Sequence, residues 1–67
     1  MWYDYIEQKK DVLGGKPIIK NTRIGVDLIL EKIGNGNTIE DLLLAYPKVT
    51  KQEILACITY GANPHRS

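Results

Sequence analysis

Apolar residues recur at helical spacing three times in the second half of the chain. Val26, Ile29, Leu30 and Ile33 stand at i, i+3, i+4 and i+7, and Ile39, Leu42, Leu43 and Tyr46 repeat that spacing. Ile54, Leu55, Cys57 and Ile58 form a third apolar side. This periodicity predicts three amphipathic helices. Their limits are written in local chemistry. Gly34-Asn35-Gly36 ends the first with residues that accept the left-handed conformation of a C-cap. Thr38 suits the N-cap of the second, with Glu40 and Asp41 placed where the helix dipole favours negative charge. Pro47 stops that helix. Thr50-Lys51-Gln52-Glu53 is a capping box opening the third, and Gly61 and Pro64 are expected to close it.

The first half has no helical period. Residues 1–16 read as an irregular arm in which Trp2, Tyr3, Tyr5 and Ile6 suit a short strand. Glu7 to Asp11 are polar or charged, and Gly14-Gly15 punctuate the return of Val12 and Leu13 to the core. Pro17, Ile18 and Ile19 suit an edge strand, because proline cannot donate to a ladder. Asn21 tolerates positive φ, so Lys20-Asn21 can turn the chain and Thr22-Arg23-Ile24 can return as a second strand. The fold expected is mainly α: an arm over 1–16, a small β-hairpin over 17–24, three helices over 26–62 and a tail over 63–67, all in one domain.

The last two helices are joined only by Pro47, Lys48 and Val49 before the Thr50 cap, which imposes a steep crossing, as in a helix-turn-helix. Val49 can tuck under the corner, and the helix from Val26 to Ile33 braces the pair. With Ile54, Leu55, Cys57 and Ile58 turned inward, Lys51, Gln52, Ala56 and Thr59 face outward. The start of the second helix of such a motif is where base edges are met. Gln52 can pair with adenine, Lys51 with guanine or phosphate, and Ala56 and Thr59 can touch a thymine methyl. Lys48, Lys16, Lys20 and Arg23 extend this into a candidate basic strip. Against it, the net charge is only +1, and surface lysines are ordinarily solvated charges. Arg23 has two readings: a grip on a phosphate or a partner's carboxylate, or a tie between hairpin and helices through Glu53 or Asp41. The tie is preferred, because a bidentate arginine fixes such a joint well.

Composition removes other classes. A charged fraction of 25% beside 43% hydrophobic residues is that of a globular domain. No apolar run is long enough to span a bilayer and no signal peptide is visible, so the cytoplasm is expected and no membrane contact. Cys57 lies in an apolar run and reads as core. Ser67 is the only serine and His65 the only histidine, both in the tail; Asp4 and Asp11 have no metal-ligand company, and Asp27 and Glu31 are surface charges. No catalytic, metal-binding or cofactor-binding residues are expected, and the chain is not expected to be an enzyme. Trp2, Tyr3, Tyr5 and Ile6, with Tyr46 and Tyr60, exceed what so small a core can cover, which points to a homodimer.

Residues 14–62, "GGKPIIKNTRIGVDLILEKIGNGNTIEDLLLAYPKVTKQEILACITYGA", resemble the domain-of-unknown-function family 433. Gly15, Pro17, Thr22, Arg23, Ile24, Gly36, Tyr46, Pro47, Ile54 and Tyr60 match its pattern. The chain departs at Asn21, where the family usually has Gly, and at Gly61, where Ala is common. The resemblance implies a homeodomain-like or winged helix-turn-helix. It also implies a type II antitoxin that neutralises a PIN-like ribonuclease toxin and represses its own operon by binding operator DNA as a dimer. The DNA-binding residues expected are Lys48, Lys51, Gln52, Thr59, Lys20 and Arg23, and the arm from Met1 to Leu13 is a candidate for the toxin contact. Two alternatives stay open: a protein–protein adaptor that keeps the fold without touching DNA, and a subunit that completes an enzyme in a complex.

Overall fold

The computed structural model describes residues 1–62. A 3-10 turn at Trp2–Asp4 leads into strand β1 (Ile6–Glu7), which pairs antiparallel with β2 (Ile18–Ile19). Helices α1 (Val26–Gly34), α2 (Ile39–Ala45) and α3 (Lys51–Ala62) follow. The predicted plan of a small sheet followed by three helices is the observed one. His65 and Pro64 lie outside the described residues.

The hairpin expected over 17–24 forms only in part. The chain does turn at Lys20-Asn21, with Asn21 at φ 63°. It does return, since the Ile19 N–H donates to the Ile24 carbonyl at 3.0 Å and Ile18 bridges Gly25. Yet Thr22 to Ile24 is not a strand. The Thr22 hydroxyl donates to the Ile19 carbonyl at 2.7 Å and accepts from the Ile24 N–H at 3.0 Å. A threonine that satisfies the backbone through its own side chain folds a turn instead of extending a ladder. The free edge of β2 is taken by Ile6 and Glu7, and the Lys20 N–H donates to the Tyr5 carbonyl at 2.8 Å. The Glu7 carboxylate accepts from the Asn21 N–H at 3.1 Å, locking the turn from the other side.

Both helix starts read from sequence are present, and α2 has more than was foreseen. The Asp41 N–H donates to Thr38 Oγ1 at 3.1 Å while the Thr38 N–H donates to Asp41 Oδ2 at 2.9 Å, a second reciprocal capping box. At α3 the Glu53 N–H donates to Thr50 Oγ1 at 3.2 Å and the Thr50 N–H to Glu53 Oε1 at 2.8 Å. Gly61 lies inside α3, which runs to Ala62, the limit expected for the three helices and the last described residue.

The core gathers Ile6, Ile19, Val26, Ile29, Leu42, Val49, Ile54 and Cys57. Ile18, on the other side of β2 from Ile19, is also fully buried, so both faces of this two-residue strand are covered. Helix α3 packs chiefly against α1 on one side and the turn at Trp2–Asp4 on another. Trp2 stands edge-on to Tyr60, with ring centroids 4.9 Å apart at 83°. That clasp corrects the motive given for a dimer: Trp2, Ile6 and Tyr60 are used within the chain, and of that aromatic group Tyr3 is the one that stands well exposed.

Candidate protein and nucleic-acid interface

The corner between α2 and α3 is rigid for local reasons. The Val49 N–H donates to the Tyr46 carbonyl at 2.9 Å, and the Val49 side chain is buried beneath the turn. The Thr50–Glu53 box then starts α3. Lys48, Lys51 and Gln52 are exposed around this corner. A basic and an amide side chain at the start of a helix, on a turn that cannot fray, can meet phosphate and a base edge.

Further along α3 the inward and outward faces differ from expectation. Ala56 is buried and Leu55 is 43% exposed, the reverse of what was expected. The cause is the arm. With α1 on one side and Trp2 on the other, the buried arc of α3 is wide and includes Ala56 and Tyr60, one turn apart. A small side chain at 56 lets the indole approach, and Ala56 is therefore not free to touch a thymine methyl. Gln52, Leu55 and Thr59 instead rim a shallow groove walled by Met1, Trp2 and Tyr5. Its lining is mostly apolar.

The six residues expected to contact DNA do not line one hollow. Gln52 and Thr59 share the α3 groove. Lys20 follows directly on β2, its backbone bonded to Tyr5 of that groove's wall. Lys48 borders a second hollow with Ile24, Tyr46 and Pro47. Arg23 lines a third, together with Lys16. Arg23 is also not the expected tie: Glu53 and Asp41 are committed to their capping threonines, and Arg23 makes no ion pair among the described residues.

Sequence reasoning missed the exposure of Leu13 and Leu55, both read as core; Leu28 and Leu44 are exposed too, and the predicted apolar faces of α1 and α2 leave them out. Cys57 is buried as read, and burial, with the Glu53 carboxylate nearby, pushes its thiol up to about 12. Such a thiol stays protonated and is a poor nucleophile. Among the described residues no group of three or more His, Cys, Asp or Glu could hold a metal ion, and no helix is long and apolar enough to cross a membrane.

A capped helix-turn-helix corner braced by a third helix and a two-stranded sheet defines the class. Residues 6–61 match the model of the family described as protein of unknown function (DUF433), and the chain belongs to that family. It is similar to a DUF433 member from Anabaena variabilis ATCC 29413 of known crystal structure. The two share 33% identity at a TM-score of 0.81, over 90% of this chain and 60% of that one. It is also 33% identical over 64 residues to the uncharacterized protein y4eO of Sinorhizobium fredii (strain NBRC 101917 / NGR234). That match covers 94% of this chain but 29% of the relative, so the chain spans under a third of that protein's length.

Proposed function

We propose that this chain is a type II antitoxin module that represses its own operon and silences a PIN-like ribonuclease toxin. The observation that supports the DNA half is the corner where α3 begins. Lys48, Lys51 and Gln52 stand exposed there above a buried Val49, on a helix start held by two reciprocal hydrogen bonds. Thr59 lies further along α3 on the groove that Gln52 also rims, whereas Arg23 lines a different hollow. The toxin half and the operon setting come from the family resemblance. The homodimer follows from size: a small domain with exposed Met1, Tyr3 and Leu55 gains burial by pairing.

If each protomer sets three cations on phosphates, a dimer neutralises about six, and log K falls with log salt at a slope of about −5. The test is fluorescence anisotropy of the chain against its own promoter duplex and a scrambled duplex at several salt concentrations. Preference for the promoter supports the repressor. Equal binding, or none at low salt, removes it. Sedimentation at micromolar concentration tests the dimer, and only the 7.6 kDa mass of one chain would count against it.

A protein–protein adaptor is the second reading, and one observation favours it. The outward side of α3 beyond Gln52 carries Leu55 beside the apolar walls of Trp2 and Tyr5. An exposed apolar strip there suits a protein better than a major groove.

A further inference from the structure

Leu13 is held at φ 49°, and Gly14 and Gly15 follow at 66° and 85°. L-residues with a Cβ avoid this region because the side chain crowds the next carbonyl oxygen. Among the described residues Leu13 and Asn21 are the non-glycine residues in it, and asparagine tolerates it where leucine does not. The strain does not serve to bury the leucine, since 47% of Leu13 remains exposed. Leu28 on α1 is 38% exposed and lines the same hollow. Gly25 lines it too, buried and without a side chain; a Cβ there would stand 3.3 Å from Leu13 Cδ1. Lys16 and Arg23 line the hollow as well, neither in an ion pair among the described residues, and Asp27 is the one acid with them.

We propose that this hollow is a docking surface for a partner protein, and that it takes an acidic segment presenting a leucine or isoleucine between carboxylates. Backbone strain concentrates at sites that bind, and here it turns an aliphatic side chain toward water beside two free cations and one anion. The excess positive charge selects an acidic segment, and the two leucines give its aliphatic residue a surface to bury. DNA satisfies only the first requirement, because a phosphate backbone offers nothing apolar to Leu13 and Leu28. The proposal deepens the protein-partner half of the reading above and puts that partner on residues the α3 corner does not use.

The test is NMR titration of the full, 15N-labelled chain with a synthetic helical peptide. The peptide carries leucines at i and i+4 flanked by glutamates. A copy with lysines in place of the glutamates and a short DNA duplex are the comparison arms. The glutamate peptide is expected to shift the amides of Leu13 to Gly15 and Arg23 to Leu28, and the lysine peptide to leave them still. Arg23→Glu and Leu28→Ala should each weaken the glutamate peptide about tenfold or more. Leu28→Ala sits on an exposed helical position where alanine is the best helix former, so its fold is retained. Equal binding of both peptides overturns the proposal, as do shifts confined to the groove at Leu55 or the absence of any shift. So does a duplex that moves the Arg23 region while the glutamate peptide does not. Promoter preference measured separately stands or falls without this result, so the two failures are distinguishable.

Discussion

Replacing Gly61 by alanine is expected to destabilise the protein, although alanine is the better helix former. Gly61 lies in the last turn of α3, where the change should by itself be worth about 0.5–1 kcal/mol through lower backbone entropy. The space is already filled. A Cβ on Gly61 would stand 2.7 Å from Leu30 Cδ1, 3.0 Å from Cδ2 and 3.4 Å from Cγ. One methyl can swing away by a rotamer change, but here both methyls and the branch point are close. Leu30 must leave its rotamer or push α1 off α3, and overpacking of that kind costs roughly 1–3 kcal/mol. The net loss is about 1 kcal/mol, or about 4–8 °C in Tm for a domain of this size.

Leu30→Val withdraws the crowding methyls, so in that background Gly61→Ala should stabilise by about 0.5–1 kcal/mol. The two changes should therefore couple by about 2 kcal/mol, within the range found for side chains in contact. The assay is urea denaturation of all four proteins followed by circular dichroism at one fixed protein concentration, since self-association of any kind would make midpoints concentration-dependent. Should Gly61→Ala raise the midpoint equally with leucine or valine at 30, the contact between α1 and the end of α3 is not the tight one described.

The remaining predictions address the cap, the thiol and the corner. Thr50→Ala should lower stability by about 1 kcal/mol in thermal melts, because the Glu53 N–H loses its acceptor and the box opens. Cys57 should resist iodoacetamide until urea is added. Its thiol, raised from an ordinary 9.0 to about 12, keeps its proton in the folded state while the unfolded thiol ionises. Stability should therefore be untouched by this group below pH 9.0 and fall above it, by up to about 1.4 kcal/mol per pH unit, a slope that Cys57→Ala should lack. If the corner binds DNA, Lys48→Ala should weaken all duplexes alike and flatten the salt slope by about two units per dimer. Gln52→Ala should instead reduce preference between duplexes by about 1–3 kcal/mol.

What could be read from the sequence divides by the range of the interaction responsible. Helix positions and starts depend on neighbours three or four residues apart, and Thr38, Thr50, Pro47 and the apolar spacing carried them correctly. Asn21 in the left-handed turn is equally local. The partner of β2 is not local: two-residue strands have no period, and Thr22-Arg23-Ile24 has a strand's composition while its threonine hydroxyl folds a turn. The same limit governs α3. Which of Leu55 and Ala56 faces inward is decided by Trp2, more than fifty positions earlier in the numbering. The exposure of Lys48, Lys51 and Gln52 was legible because the turn dictates it. The separation of Arg23 and Lys16 from Gln52 and Thr59 was not, since it depends on how the arm and β2 cross the helices.

The arm is where the functional argument changes most. Read as a chain, Met1 to Leu13 resembles a loose segment able to wrap a toxin, and a segment that orders on binding gives up affinity to do so. In the structure it is already folded. Ile6 is buried, the Tyr5 carbonyl and β1 are bonded to the β2 region, Trp2 packs on Tyr60, and the Gln8 amide donates to the Gly15 carbonyl at 3.0 Å. The arm is therefore a packed part of the domain that shapes its surfaces. Its first turn walls the groove on α3, and its last residues hold Leu13 at the edge of the basic hollow. A partner that meets either surface finds it formed beforehand, so little ordering cost opposes binding. Deleting the arm would thus remove β1, uncover α3 and dismantle both surfaces at once, and loss of binding in such a deletion would say nothing about contact. Single substitutions at Leu28 and Arg23, which leave the arm in place, are the changes that separate recognition from folding.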